Sequence, residues 1–282
     1  RMSFRYVSNN GDTIDFGLES PYFADADALR SYDVGYNMVR NAVTRFNHEP
    51  ASISLPISIS ARSEAEGAAL LDRLQQAFDH DVRDNRAGRF EVDDYYTKAF
   101  VTTFEFSCDE SLGLYEIELE TKVLLPNPVW VLESKRAFNP SQEDREMRGL
   151  NYPYNFPFNF CSGVLTRNIV NPLSWPCAVR IVIYGEAHNP YVYIGDNRYE
   201  VDVDVPEGGL LVIDGLDKSR IELRNQYGKT ENVFDRRISG TQGSGTYIFE
   251  PIPSGVSTVT WDGSFAFDVY LCGERSWLPC TT

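Results

Sequence analysis

A chain of 282 residues and 32.0 kDa, 42% apolar and 13% aromatic, can bury two cores and is too apolar for a disordered acidic tail. It carries 41 acidic against 26 basic residues, a net charge of −15 and a pI near 4.6. That balance excludes the overall basic footprint of a nucleic-acid binder and disfavours binding to anionic membrane surfaces. The charge is uneven: residues 1–133 hold 23 acids and 12 bases, a net of −11, while residues 134–282 hold 18 and 14, a net of −4. The asymmetry suggests two units.

Taken in chain order, residues 3–7 and 13–17 flank Asn9-Asn10-Gly11-Asp12, a hairpin turn whose Asn and Gly tolerate positive φ. Residues 18–32 read as a loop. Two β-rich runs follow, 34–47 and 52–61. In the second, apolar residues fall at every other position, and Pro56, which cannot donate to a ladder, points to an edge or a bulge. The period then changes. Ser63-Glu64-Ala65-Glu66 matches a capping box, and Leu70, Leu74, Phe78 and Val82 follow at steps of four as a helix packing face. Asn85 and Gly88 end that helix. Strand patterns resume at 90–92, 98–107 and 114–125, stopped by Pro126 and Pro128.

Residues 134–161 change character and read as an extended linker, with Tyr152, Pro153, Tyr154, Phe156 and Pro157 favouring extended backbone along a surface. Short strands follow at 178–184, 191–194, 198–205, 209–214, 220–223, 245–249, 257–261 and 265–271, the spacing of an all-β sandwich.

Chemistry is sparse. The three histidines, His48, His80 and His188, stand alone, and no metal-ligand, phosphate-loop or nucleophile-elbow motif occurs. No cofactor, metal or enzymatic activity is expected. No apolar run approaches a membrane span, and residues 1–15 lack the apolar core of a signal peptide. Five cysteines without Cys-x-x-Cys spacing suggest reduced thiols, with Cys272 and Cys280 able to bridge in an oxidising environment. The most informative pattern is Tyr115-Glu116-Ile117-Glu118-Leu119-Glu120. On a strand, Glu116, Glu118 and Glu120 share one face at about 7 Å spacing, and their repulsion requires that face to meet water. It is either an ordinary solvated face or an acidic surface lining something.

The opening Asn9-Asn10-Gly11-Asp12 with Ile14-Asp15-Phe16, the join at 149–157, and the late region from Gly208 through Tyr227-Gly228 to Ile252-Pro253-Ser254-Gly255 and Trp261 together resemble the distal tail (Dit) proteins of long-tailed bacteriophages. The resemblance covers nearly the whole length. It implies a mainly β chain: a barrel-like or sandwich-like ring domain with one packed helix at 1–133, the linker at 134–161, and a galectin-like β-sandwich at 162–282. It further implies a homohexameric ring that joins the tail tube protein to the tail-tip hub protein and carries receptor-binding proteins. DNA would pass through the bore without specific binding. Such a protein would reside in the virion tail tip after assembly in the host bacterial cytoplasm, with no membrane partner. An acidic lumen formed in part by Glu116, Glu118 and Glu120 fits that passage, because carboxylates repel phosphates. The alternative is a carbohydrate-binding adhesion module for host glycans. Against the galectin mode, His188-Asn189 lacks a matching arginine and Trp261-Asp262-Gly263 lacks the glutamate that should follow.

Overall fold

The Asn9–Asp12 turn closes a hairpin between β1 (Phe4–Val7) and β2 (Thr13–Phe16), with Gly11 at φ +91° and Asn10 Oδ1 accepting from the Asp12 N–H at 2.8 Å. The computed structural model describes residues 3–31, 33–108, 115–140 and 167–279, which fall into two compact units, 1–132 with 274–282, and 133–273.

In the first unit, β3 (Tyr22–Ala24) and a 3-10 turn at Ala26–Leu29 occupy the segment expected to be loop. The run is too short for its period to show, yet Tyr22, Ala24, Ala26 and Leu29 are all buried. The hairpin β4 (Gly35–Val39) and β5 (Ala42–Asn47) follows, then β6 (Ala51–Ser60), helix α1 (Glu64–Asp84), β7 (Gly88–Val92), β8 (Tyr95–Cys108) and β9 (Glu116–Leu125). Strand order β8-β7-β1-β2-β3-β6-β9 returns to β8, so seven strands close a barrel. Closure leaves these strands without a free edge. Pro56 lies just past the reach of β3, which pairs with β6 only as far as Ile57, so its missing N–H costs no ladder bond on that side.

Helix α1 begins as its sequence requires. Ser63 Oγ accepts from Glu66 N at 3.1 Å, while the Glu66 carboxylate reaches one residue beyond the usual box, to Arg62 N at 2.7 Å. Asn85 ends it in the left-handed conformation, φ +51°. Its inner face meets an aromatic cluster in which Tyr6 contacts Phe78 edge-on at 5.0 Å and Phe90 at 4.9 Å. Leu74 and Phe78 are buried, worth about 1.5–3 kcal/mol each.

Asp81, fully buried on that face, accepts from the hydroxyls of Tyr6 and Ser8 and from Asn9 N. Burial first, and the Asp81 carboxylate second, hold the Tyr6 phenol far above its ordinary range. The final residues, expected in the second domain, belong to the first unit: Leu278 is buried in its core, and Arg30 Nη1 donates to the Leu278 carbonyl at 3.1 Å.

The second unit opens inside β10 (Trp130–Phe138), so residues 134–138 are strand rather than linker. Phe138 fixes them there by stacking on Phe267 at 4.8 Å in the core. Tyr152, Pro153, Tyr154, Phe156 and Pro157 lie outside the described residues. Beyond them come β11 (Arg167–Asn171), β12 (Ala178–Tyr184), β13 (Ala187–His188), β14 (Tyr191–Ile194), β15 (Asn197–Glu200), β16 (Asp204–Val205), β17 (Leu210–Asp214), β18 (Ile221–Arg224), β19 (Thr230–Asn232), β20 (Gly255–Thr260) and β21 (Phe267–Arg275). One layer runs β19-β18-β17-β12-β21 and the other β11-β20-β14-β15, enclosing Val179, Ile181, Val192, Tyr199, Leu211, Val259 and Val269. Residues 245–249 form turns rather than the expected strand. Gly245 at φ +83° cannot continue a ladder, and Ile248 and Phe249 bury from a loop.

Candidate assembly surface

The hairpin of β4 and β5 pairs with no other strand among the described residues. Arg40 and Asn41, at φ +48° and +65°, form the two-residue turn, which only the asparagine signals in the sequence. Register places Tyr36 opposite Phe46 and Met38 opposite Val43. These side chains are open to solvent: Tyr36 61%, Met38 52%, Val39 59%, Val43 46% and Phe46 67% exposed. A lone two-stranded hairpin is marginal in water, and clustered exposed apolar side chains mark a contact surface. Sequence reading found β propensity here but not this exposure, because alternation does not say which face lacks a cover.

The acidic strand takes its expected geometry. In β9, Ile117, Leu119, Thr121 and Val123 point into the barrel, and Glu116, Glu118 and Glu120 point outward and are exposed. The neighbouring strands complete a polar wall. Ser60, Ser58 and Pro56 on β6 stand opposite Glu116, Glu118 and Glu120, and Glu105 on β8 stands opposite Glu120. Ser54 Oγ approaches Glu120 at 3.4 Å, and Lys122 closes one end of the row. Glu105, which sequence reading passed over, adds a fourth carboxylate that only the β8–β9 register brings into line.

Of the helix positions, Leu70 packs partly buried on the core, and Leu74 and Phe78 are buried, but Val82 is 46% exposed. Each step of four residues overshoots a full turn by about 40°, so by the third step the side chain has rotated off the inner face. Asp81 takes the inward place instead. The helix therefore spends its apolar face on its own barrel. Phe23 on β3 and Phe106 on β8 are half exposed on the barrel wall, and Leu18 is 85% exposed.

In the second unit, Trp261 is buried with its Nε1 donating to the Phe265 carbonyl at 3.2 Å, so it offers no sugar platform. His188 is exposed and bonded to Asp204 at 2.9 Å, a hydrogen bond that raises its pKa. Asp268 binds the Tyr184 hydroxyl at 2.6 Å and Lys135 at 2.7 Å, and that bond, aided by burial, pushes the phenol up to about 12. Cys177 and Cys272 are buried. Among the described residues no cluster of three or more metal-ligating side chains occurs, and no helix is long and apolar enough to cross a membrane.

No family model matches the sequence, and no curated protein does. Solved structures that match include the following. A chain of the phage P2 baseplate in its activated conformation with Ca aligns at a TM-score of 0.62 and 10% identity, over 99% of this chain and 100% of that one. The same baseplate with Sr gives 0.61 and 10%, with 99% and 100% covered. The SPP1 Dit protein, described as a paradigm of the hub adsorption apparatus in phages infecting Gram-positive bacteria, gives 0.48 and 8%, with 98% and 99% covered. The mainly β fold expected from the sequence is thus shared, end to end, with a phage P2 baseplate chain.

Proposed function

We propose that the chain is a distal tail protein, a non-enzymatic structural component of a phage tail tip whose first unit forms a ring from copies of itself, with six as the expected number. The fold shared with a baseplate chain over full length supports this reading, and the hairpin of β4 and β5 carries it. Five large apolar side chains on a two-stranded projection need a partner surface. The same chain also exposes Phe23 on β3, Leu18 in the turn before it and Phe106 on β8. A projection that meets a different patch on the next copy makes a heterologous contact, which repeats into a ring where its rotation closes.

The acidic wall fits the bore of such a ring. Glu105, Glu116, Glu118 and Glu120 need contact with water, and a DNA duplex passing this wall meets four carboxylates with Lys122 only at one end, so repulsion outweighs counterion release. The ring would join the tail tube protein to the hub protein and support receptor-binding proteins, in the virion, without a cofactor. An electron-microscopy map of the particle tests this. The expected map shows a six-fold ring with Glu116, Glu118 and Glu120 facing the bore. A map that buries them between subunits or turns them outward would contradict the lumen assignment. In particles, Glu118→Lys with Glu120→Lys is expected to cut DNA ejection about tenfold or more, because cations on the wall bind phosphate. Unchanged ejection counts against a bore position.

A further inference from the structure

One end of the second unit holds a cavity of about 550 Å³ between the β14–β15 turn, the start of β20 and the loops at 242–245 and 250–253. We propose that this cavity binds a short neutral saccharide. The proposal does not rest on the ring reading.

The lining combines two textures. Pro176, Pro251, Pro253 and Val256 contribute stiff apolar surface. Proline fixes φ, so these positions are preorganised and lose little entropy on binding. The same lining carries polar residues with acceptor groups, Asp196, Asn197, Glu250 and Ser257. No lysine or arginine lines the cavity. An anion would therefore meet two carboxylates and no counter-charge, while a ligand rich in hydroxyl donors meets partners.

Two side chains are held ready. Asn197 is 6% exposed, and its Nδ2 donates to the Tyr247 carbonyl at 2.9 Å, which fixes the amide. Its Oδ1 is buried with no hydrogen-bond partner. Glu250 Oε2 accepts from Gly243 N at 2.9 Å and so ties the glycine-rich loop to the rim. The Tyr199 hydroxyl, donating to the Glu250 carbonyl at 2.6 Å, holds the backbone beneath it. A sugar ring matches both textures, with C–H faces for the prolines and hydroxyls for the acceptors. The volume lies in the range of about 300–1,000 Å³ usual for small-ligand sites and has room for more than one ring. The site is separate from the places where the galectin mode failed, since neither His188 nor Trp261 lines it.

The test is ligand-observed NMR on the full chain with glucose, galactose, N-acetylglucosamine, cellobiose, lactose and chitobiose. Glucuronate serves as the anionic control and tetramethylammonium as the cationic one. At least one neutral sugar is expected to bind at millimolar concentration, with glucuronate weaker than glucose. Val256→Trp, at a position 67% exposed where folding is not at stake, should block the mouth and weaken binding about tenfold or more. Asn197→Leu should do the same if it folds. Failure of all six sugars overturns the proposal. So does affinity unchanged in Val256→Trp, or tetramethylammonium binding more tightly than every sugar. None of these outcomes touches the ring reading, which mass in solution reports independently.

Discussion

Asp81→Ala should destabilise the first unit by about 3–5 kcal/mol, because it strands buried donors at about 1–3 kcal/mol each. The carboxylate is wholly buried and is shared by three donors: the Tyr6 hydroxyl, the Ser8 hydroxyl at 2.6 Å and Asn9 N at 2.9 Å. Alanine leaves all three without this acceptor, and the two buried hydroxyls, of Tyr6 and Ser8, each add a desolvation cost. The same carboxylate links α1 to β1 and to the turn after it, so its loss loosens the helix from the barrel as well as leaving a void. For a unit of this size the melting temperature should fall by roughly 10–15 °C. Thermal unfolding followed by circular dichroism measures it. Gly88→Ala should reproduce much of the loss from the opposite direction. A Cβ there would collide with both the Asp81 carboxylate and the Tyr6 phenol, so the network would have to break to admit it. A melting point within a degree or two of the unaltered chain for both variants would show that the helix is held by apolar packing alone.

The second large effect is on assembly. Tyr36→Asp with Phe46→Asp places two charges directly opposite each other on the hairpin, where two aromatic rings now stand. Both positions are more than half exposed, so the folded unit gives up little. In an assembled ring the same pair would be buried against a neighbour, and unpaired carboxylates there cost several kcal/mol per contact. Because a ring repeats the contact at each interface, the loss multiplies and assembly should fail. The expected result is a chain that still folds but no longer self-associates, read by circular dichroism and sedimentation velocity. A double variant that assembles like the parent removes the hairpin from the interface.

How far the sequence reached can be judged from particular residues. Helix α1 was legible because its signals are local: Ser63 and Glu66 at the start, Asn85 at the end, and apolar residues at helical spacing between them. The outward set of Glu116, Glu118 and Glu120 was legible for a similar reason, since a strand has a strict period of two. Glu105 was not, because nothing local says that β8 will lie in register beside β9. Val82 was misplaced because a step of four drifts off a helix face, while Asp81, polar and apparently outward, is the residue that turns in. The segment at 245–249 looked like a strand because Tyr247 and Phe249 alternate, yet the chain buries aromatic residues from a loop there. The exposed hairpin was the costliest omission. Tyr36, Met38, Val43 and Phe46 are the residues a buried strand would show, and only the fold reveals that no core covers them. Leu278, two hundred residues or more from most of the core it joins, could be assigned only from contacts.

The central claim is that copies of this chain close into a ring through the first unit. Light scattering of the purified chain over a wide concentration range, alone and with the tail tube protein, tests it most directly. The expected mass is about six times the 32.0 kDa of one chain, reached by the parent and not by the Tyr36→Asp, Phe46→Asp variant. A mass that stays at that of a single chain at every concentration, with the tube protein present, would contradict the account.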